Sequence, residues 1–299
     1  MNDNPTPGPE LKAPVPDGDH ARAASAAAVT VCGATNVGCV RSHNEDAFTI
    51  ADLSSDSTVG PGEGRSFPLA NNGILLMVCD GMGGHAAGEV AARLAGEVVT
   101  RGLRDLGDAV GNSPAISLSA ALTLANHTIF GESRRRDDER GMGTTCTAGL
   151  LFANRVVLAE VGDSRAYLFR MGTLQQLTRD QSLAMTLVAA GALTAEEVKT
   201  FPHTNVILQA LGIQDHVESV TSEIVPARGD LILLCSDGLH GPVPDERIAA
   251  ILRDTPDLAA CAQALISAAL SAGGSDNVTV ILARYEGLSQ SDPDAKELM

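Results

Sequence analysis

Tryptophan is absent from these 299 residues, and aromatics make up only 3% of the chain. Single-stranded nucleic acid is bound on aromatic stacking platforms, so that class is disfavoured. Positive charge is scarce too: 21 Lys and Arg face 37 Asp and Glu, for a formal net charge of −16. Such a surface repels nucleic-acid backbones and anionic membranes, and a phosphorylated substrate must meet locally supplied positive charge. No apolar stretch approaches the roughly 20 residues that span a bilayer. No basic segment leads into an apolar one near the start, so no signal peptide is read. The six cysteines (32, 39, 79, 146, 235, 261) form no C-x-x-C pair, and none has an arginine six positions on, as a cysteine-nucleophile phosphatase needs. Most lie inside apolar runs, as buried thiols do, and a cytoplasmic, reducing location is the natural one. A G-x-S-x-G elbow and a G-x-x-x-x-G-K-[ST] loop are also missing.

What is present centres on Leu75–Gly88, LLMVCDGMGGHAAG. The short, unbroken apolar run 73–79 suits a strand buried on both faces. It ends abruptly in Asp80, followed by a glycine hinge. Residues 86–106 carry Val90, Leu94, Val98 and Leu103 on one side and read as an amphipathic helix. An ionised carboxylate at the end of a core strand is costly unless a cation or hydrogen bonds meet it. Gly81-Met82-Gly83-Gly84-His85-Ala86 also matches the dinucleotide fingerprint G-x-G-x-x-A. That fold needs a second strand after the helix. Here residues 107–114 read as a loop and 115–131 as another helix.

Residues 1–28 are rich in Pro, Ala, Gly and Asp and read as a disordered tail. A folded domain is expected over 29–286, with a polar tail over 287–299. The segment 54–72 reads as a long Gly/Pro/Ser loop rimming a site. Residues 145–177 read as an antiparallel meander. Residues 181–211 look helical and irregular, 229–235 a buried strand, 245–272 one or two helices, and 278–285 a final strand. No internal repeat is seen.

One device recurs. Three apolar strands run into an aspartate, Asp80, Asp163 and Asp237, and a fourth, Asp276, precedes the last strand. If that strand runs antiparallel to the others, all four carboxylates fall at one edge of the sheets. Alternation places Val78 with Asp80 and Cys235 with Asp237 on shared faces. Clustered carboxylates cannot all ionise uncompensated, and no lysine cluster is available. Oxygen-only ligation suits Mg²⁺ or Mn²⁺ rather than zinc. Glu45 and Asp46 add a further edge. Two such ions would activate a water for in-line displacement at phosphorus.

The ordered motifs Arg41-x-x-Asn44-Glu45-Asp46, Asp80-Gly81-Met82-Gly83-Gly84-His85, Gly141-Met142-Gly143-Thr144-Thr145, Gly162-Asp163-Ser164-Arg165, Ser236-Asp237-Gly238 and Asp276-Asn277 resemble the bacterial metal-dependent protein phosphatases of the protein phosphatase 2C (PPM) family. The resemblance covers residues 29–285. It implies an α+β fold, an α–β–β–α sandwich of two antiparallel sheets flanked by helices. It implies hydrolysis of phosphoserine and phosphothreonine by direct attack of a metal-bridging hydroxide. Two ions, Mn²⁺ or Mg²⁺, are implied, with Asp80 bridging and the Gly81 carbonyl ligating one. Asp237 and Asp276 complete one ion, Glu45 belongs near the other, and Asp46 acts directly or through water. Asp163 would hold a third, weaker ion. Arg41 would grip the substrate phosphate, and 181–211 would be the mobile flap. Implied partners are phosphorylated proteins, including a cognate Ser/Thr kinase, with neither nucleic acid nor membrane, and the protein is expected to be a monomer.

Two departures from the family pattern stand out. Met82 occupies the place where animal members carry a histidine, and His85 is not a residue-for-residue substitute. Gly241 stands where some members carry a further carboxylate, which weakens the case for the third ion. His43 and His240 read as ordinary polar surface. The rival readings are a two-metal phosphoesterase acting on small molecules and a catalytically inactive phosphoprotein-binding regulator.

Overall fold

The computed structural model describes residues 27–69, 72–83, 87–135, 141–198, 201–203 and 206–287. Two antiparallel sheets face each other. The first has strand order β3-β1-β12-β11-β8-β9, formed by Gly64–Pro68 (β3), Ala28–Asn36 (β1), Val278–Gly287 (β12), Leu231–Cys235 (β11), Arg165–Arg170 (β8) and Thr173–Gln176 (β9). The second runs β10-β7-β6-β4-β2, from Val220–Ile224 (β10), Val156–Val161 (β7), Cys146–Leu151 (β6), Ile74–Met82 (β4) and Asp46–Asp52 (β2). The short β5, Gly143–Thr144, pairs with the end of β4.

Three apolar layers explain the order of the stack. Ile74, Leu76 and Val78 of β4 meet Ile232 and Leu234 of β11 and Ile281 of β12 between the sheets. The alternate residues Leu75, Met77 and Cys79 point the other way, under helices α1 (Ala87–Leu106) and α3 (Pro114–Ser133). Leu231, Leu233 and Cys235 likewise pack under α7 (Asp245–Asp254) and α8 (Leu258–Ser271). Every residue from Ile74 to Cys79 is buried, as its unbroken apolar run predicts. The result is the α–β–β–α sandwich that the resemblance implied.

The buried face of α1 is narrower than its large residues suggest. Ala91, Ala92, Ala95, Val99 and Leu103 are the deeply buried positions, while Val90 and Leu94 lie half-buried on its flank. Small residues let the helix lie close to the sheet; a Cβ on Gly96 would collide with the Thr49 hydroxyl.

Several expectations need correction. The segment 54–72 is not all loop, because β3 lies within it and pairs with β1. Strand β10 pairs with β7 in a stretch where no strand was expected. A short helix, α2 (Ala109–Asn112), interrupts the loop 107–114. Strand β1 starts at Ala28, and Ala27 is already buried, inside the segment read as tail. The rest of that tail, the C-terminal tail beyond 287 and His85 lie outside the described residues. Among the described residues no helix is long and apolar enough to cross a membrane. All six cysteines are free thiols.

Candidate active site

Strand β12 is antiparallel to β11, with Cys235 opposite Val280, so the start of β12 lies beside the end of β11. In the other sheet Asp46 sits opposite Asp80 in the β2–β4 ladder. Both sheets therefore deliver carboxylates to the same edge. Asp80, Asp163, Asp237 and Asp276 line one cleft of about 770 Å³, together with Arg41, Glu45 and Gly81. Asp46 is not on that wall. It lies behind, only 7% exposed.

One detail of the expected geometry is wrong. Cys235 points outward under the helices, but Asp237 does not continue its alternation, because the strand ends at Cys235 and Asp237 opens the short helix α6 (Asp237–His240). The helical turn, not the pleat, brings Asp237 into the cleft.

Backbone packs tightly around the acids. A Cβ on Gly81 would strike the Gly88 carbonyl, and one on Gly238 would strike that of Asn277. Neither position has room for any side chain. Asn277 ties three segments: its Nδ2 donates to the carbonyls of Val37 and His43, and its Oδ1 accepts the Glu45 N–H at 2.7 Å. That holds the loop carrying Arg41 and Glu45 against the start of β12. Asp80 is anchored through its backbone, its N–H donating to Thr145 Oγ1 and its carbonyl accepting from Thr145 N and Thr144 Oγ1. Thr145 in turn shares a hydrogen bond with Ser164, beside Asp163. Gln181 is tied to the loop before Asp163: its N–H donates to the Gly162 carbonyl and its Oε1 accepts the Gly162 N–H.

The acids crowd one another. Burial, and then the charges of Asp46, Asp237, Asp163 and Asp276, hold the Asp80 pKa well above the carboxylate range, although Asp80 keeps contact with solvent on its cleft side. Burial pushes Asp46 up to about 7, against the pull of the Ser236 and Thr279 hydroxyls. Asp163 also stands at about 7, through burial and then the charge of Asp237. Burial and then Asp276 raise Asp237, and burial raises Glu45. The cation among these lining groups is Arg41, whose guanidinium meets Asp276 at 2.7 Å.

These features fit hard divalent cations. Two buried carboxylate oxygens, Asp46 Oδ1 and Asp237 Oδ1, have no hydrogen-bond partner. An orphaned acceptor of that kind is costly unless a cation or its water shell meets it. Among the described residues no group of three or more His, Cys, Asp or Glu side chains stands ready to hold an ion by itself. Mg²⁺-like ions keep several waters and take one or two carboxylates each, so they do not need such a group.

Two sequence readings of histidine part company. His43 is exposed at the cleft, as expected. His240 is not ordinary surface: its Nε2 lies 3.1 Å from the Asp163 carbonyl, and burial, with the Arg165 charge, lowers its pKa to about 3. It is a neutral ring supporting the Asp163 loop. Met82 lines the cleft with a thioether and supplies no proton. Gly241 caps α6 by donating its N–H to the Asp237 carbonyl.

The model of the family described as protein phosphatase 2C matches residues 66–280. The chain belongs to the protein phosphatase 2C family. It is 44% identical over 210 residues to the serine/threonine protein phosphatase PstP of Mycobacterium tuberculosis, across 70% of this chain but only 40% of PstP. The serine/threonine phosphatase stp of Listeria monocytogenes is 35% identical over 269 residues, covering 87% of this chain and 97% of that protein. A crystal structure of the PstP catalytic domain in complex with two manganese ions superposes with a TM-score of 0.71 at 37% identity, covering 86% of this chain and 99% of that one. The fold seen here is thus shared with solved serine/threonine phosphatase structures.

Proposed function

We propose that this protein is a metal-dependent serine/threonine protein phosphatase. The observation that carries the reading is the convergence of Asp80, Asp163, Asp237, Asp276, Glu45 and Arg41 on one cleft of a protein phosphatase 2C fold. Asp80, the Gly81 carbonyl, Asp237 and Asp276 would hold divalent ions with Glu45, and Asp46 would act from behind through its free oxygen. Asp163 would serve a third, weaker ion. Two Mn²⁺ or Mg²⁺ ions, when bound, supply an activated water and neutralise charge on the phosphoryl oxygens.

The chain's own residues do the rest. Arg41 is 55% exposed at the cleft mouth, and its planar guanidinium suits bidentate capture of a phosphate. Asn277 holds the loop behind Arg41 and Glu45, so both approach the phosphoryl group from a fixed direction. Positioning and electrostatics of this kind supply most of the acceleration in phosphoryl transfer. Substrates are phosphorylated proteins, among them a cognate Ser/Thr kinase. Six free thiols support a cytoplasmic location.

The test is dephosphorylation of a phosphothreonine peptide after EDTA treatment and after Mn²⁺ or Mg²⁺ is restored. Activity lost on chelation and regained with metal is the expected result. A folded protein inert under both metals would overturn the reading.

A further inference from the structure

A ring of hydrogen bonds lies behind the cleft, buried at Asp46, Ser236 and Thr279 and half-buried at Thr35 and Asn44. Asp46 Oδ2 accepts the Ser236 hydroxyl at 2.7 Å. Ser236 is itself pinned to β12: its Oγ accepts the Thr279 N–H at 3.0 Å, and its own N–H donates to the Thr279 carbonyl at 3.1 Å. The Thr279 hydroxyl pairs with that of Thr35 at 2.7 Å. Thr35 Oγ1 accepts from Asn44 Nδ2 at 2.8 Å, and Asn44 Oδ1 accepts the Asp46 N–H at 3.2 Å, closing the ring. Ser236 and Thr279 have no exposed surface at all.

The ring dictates where protons point. A hydroxyl has one proton and two lone pairs. The Thr279 N–H takes a lone pair of Ser236, and an ionised Asp46, the form that would meet a cation, can only accept, so the Ser236 proton then goes to Asp46. Oδ2 is thereby committed, and Oδ1 remains as the buried oxygen without a partner. The ring draws on β1, β2, β12 and the end of β11, so both sheets are referenced to one carboxylate.

We propose that Ser236 is a positioning residue for divalent-ion binding. It holds the Asp46 carboxylate so that Oδ1 stays available to a cation or to a water of its shell, opposite Asp80 in the β2–β4 ladder. Hydrogen bonds behind metal ligands fix their orientation, and removing one lowers metal affinity about 10–100-fold. The inference rests on the metal-dependent reading of the cleft.

The test is calorimetric titration of the full chain with Mn²⁺, at a temperature where each variant is folded. Ser236→Ala is expected to weaken Mn²⁺ binding about 10–100-fold. Its KM for a phosphothreonine peptide at saturating Mn²⁺ stays near the wild-type value, because Arg41 is untouched. Thr35→Val cuts the ring farther from Asp46 and is expected to weaken Mn²⁺ binding in the same direction by less. A merely structural role would lower the melting temperature and leave Mn²⁺ affinity unchanged. Wild-type affinity in S236A therefore overturns the proposal. If S236A does not fold, T35V decides alone, and unchanged affinity there overturns it. Wild-type protein that binds no Mn²⁺ would instead refute the metal-dependent reading itself.

Discussion

Replacing Glu160 by glutamine should flatten the dependence of stability on pH. Glu160 lies in β7, 5% exposed, in a cavity where Leu158, Leu177 and Met185 stand beside Arg179, Asp180 and Gln181. Both its oxygens face one donor, the Arg179 N–H, at 2.9 and 3.1 Å. Burial outweighs that hydrogen bond and raises the pKa from 4.5 to about 7. The folded protein therefore keeps this proton up to near neutral pH, whereas the unfolded chain releases it near 4.5. Stability is unaffected below the unfolded value, falls as pH rises between the two, and levels off above the folded one. At about 1.4 kcal/mol per pKa unit, the loss between pH 5 and pH 8 comes to about 2.5 kcal/mol. For a domain of this size that is roughly 5–10 °C in melting temperature. The glutamine of E160Q keeps an oxygen for the Arg179 N–H. Its buried NH₂ adds a cost of about 1–3 kcal/mol that does not vary with pH. Thermal or urea unfolding in EDTA at pH 5, 6, 7 and 8 measures the difference directly, and the other buried acids cancel between wild type and E160Q. Equal pH slopes in the two proteins would refute the assignment of a buried, proton-holding Glu160.

Asp80→Asn should abolish metal-dependent turnover and the thermal stabilisation that Mn²⁺ gives. The metal-free fold should survive, because the change removes one titratable acid from a crowded cluster and keeps the side chain's shape. Saturating Mn²⁺ at about 100 times its Kd should raise wild-type stability by about 2.7 kcal/mol per site; a similar rise in D80N would count against a bridging role. Arg41→Ala should raise KM for phosphopeptide about 10–100-fold, the worth of a lost charge-assisted contact. Mn²⁺ binding should hold or tighten in R41A, since the guanidinium that meets Asp276 at 2.7 Å is gone. Equal damage to both constants would make Arg41 a structural residue.

Asp80 could be found from sequence because its signal is local: an apolar run that stops at a carboxylate. Helix α1 is visible through its apolar periodicity, and residues 115–131 read as helical. Strands β3 and β10 are not visible, because both are sheet edges with mostly exposed residues; only Phe67 in β3 is buried. The Asp237 geometry was missed for a different reason. Strand alternation extrapolates only while the strand lasts, and Ser236 ends it with a helical turn. Ser236, Thr145 and Asn277 all stand inside recognised motifs, yet their supporting roles were illegible. A hydroxyl or amide acts through what lies across the sandwich, and spacing along the chain carries no register between sheets. His240 shows the reverse error, a polar residue read as surface when its ring is packed beneath the Asp163 loop.

Strand β12 occupies the middle of its sheet, hydrogen-bonded to β1 on one side and β11 on the other, although it is the last strand among the described residues. During synthesis β1 must therefore wait some 240 residues for its central neighbour, a contact of high loop-closure cost. Asp276 and Asn277 arrive with that strand. The nascent chain thus carries an incomplete set of acids and an unclamped Arg41 loop until almost all of the domain has left the ribosome. The set of acids at the cleft and the clamp on the Arg41 loop are thus completed in the same step that closes the sheet.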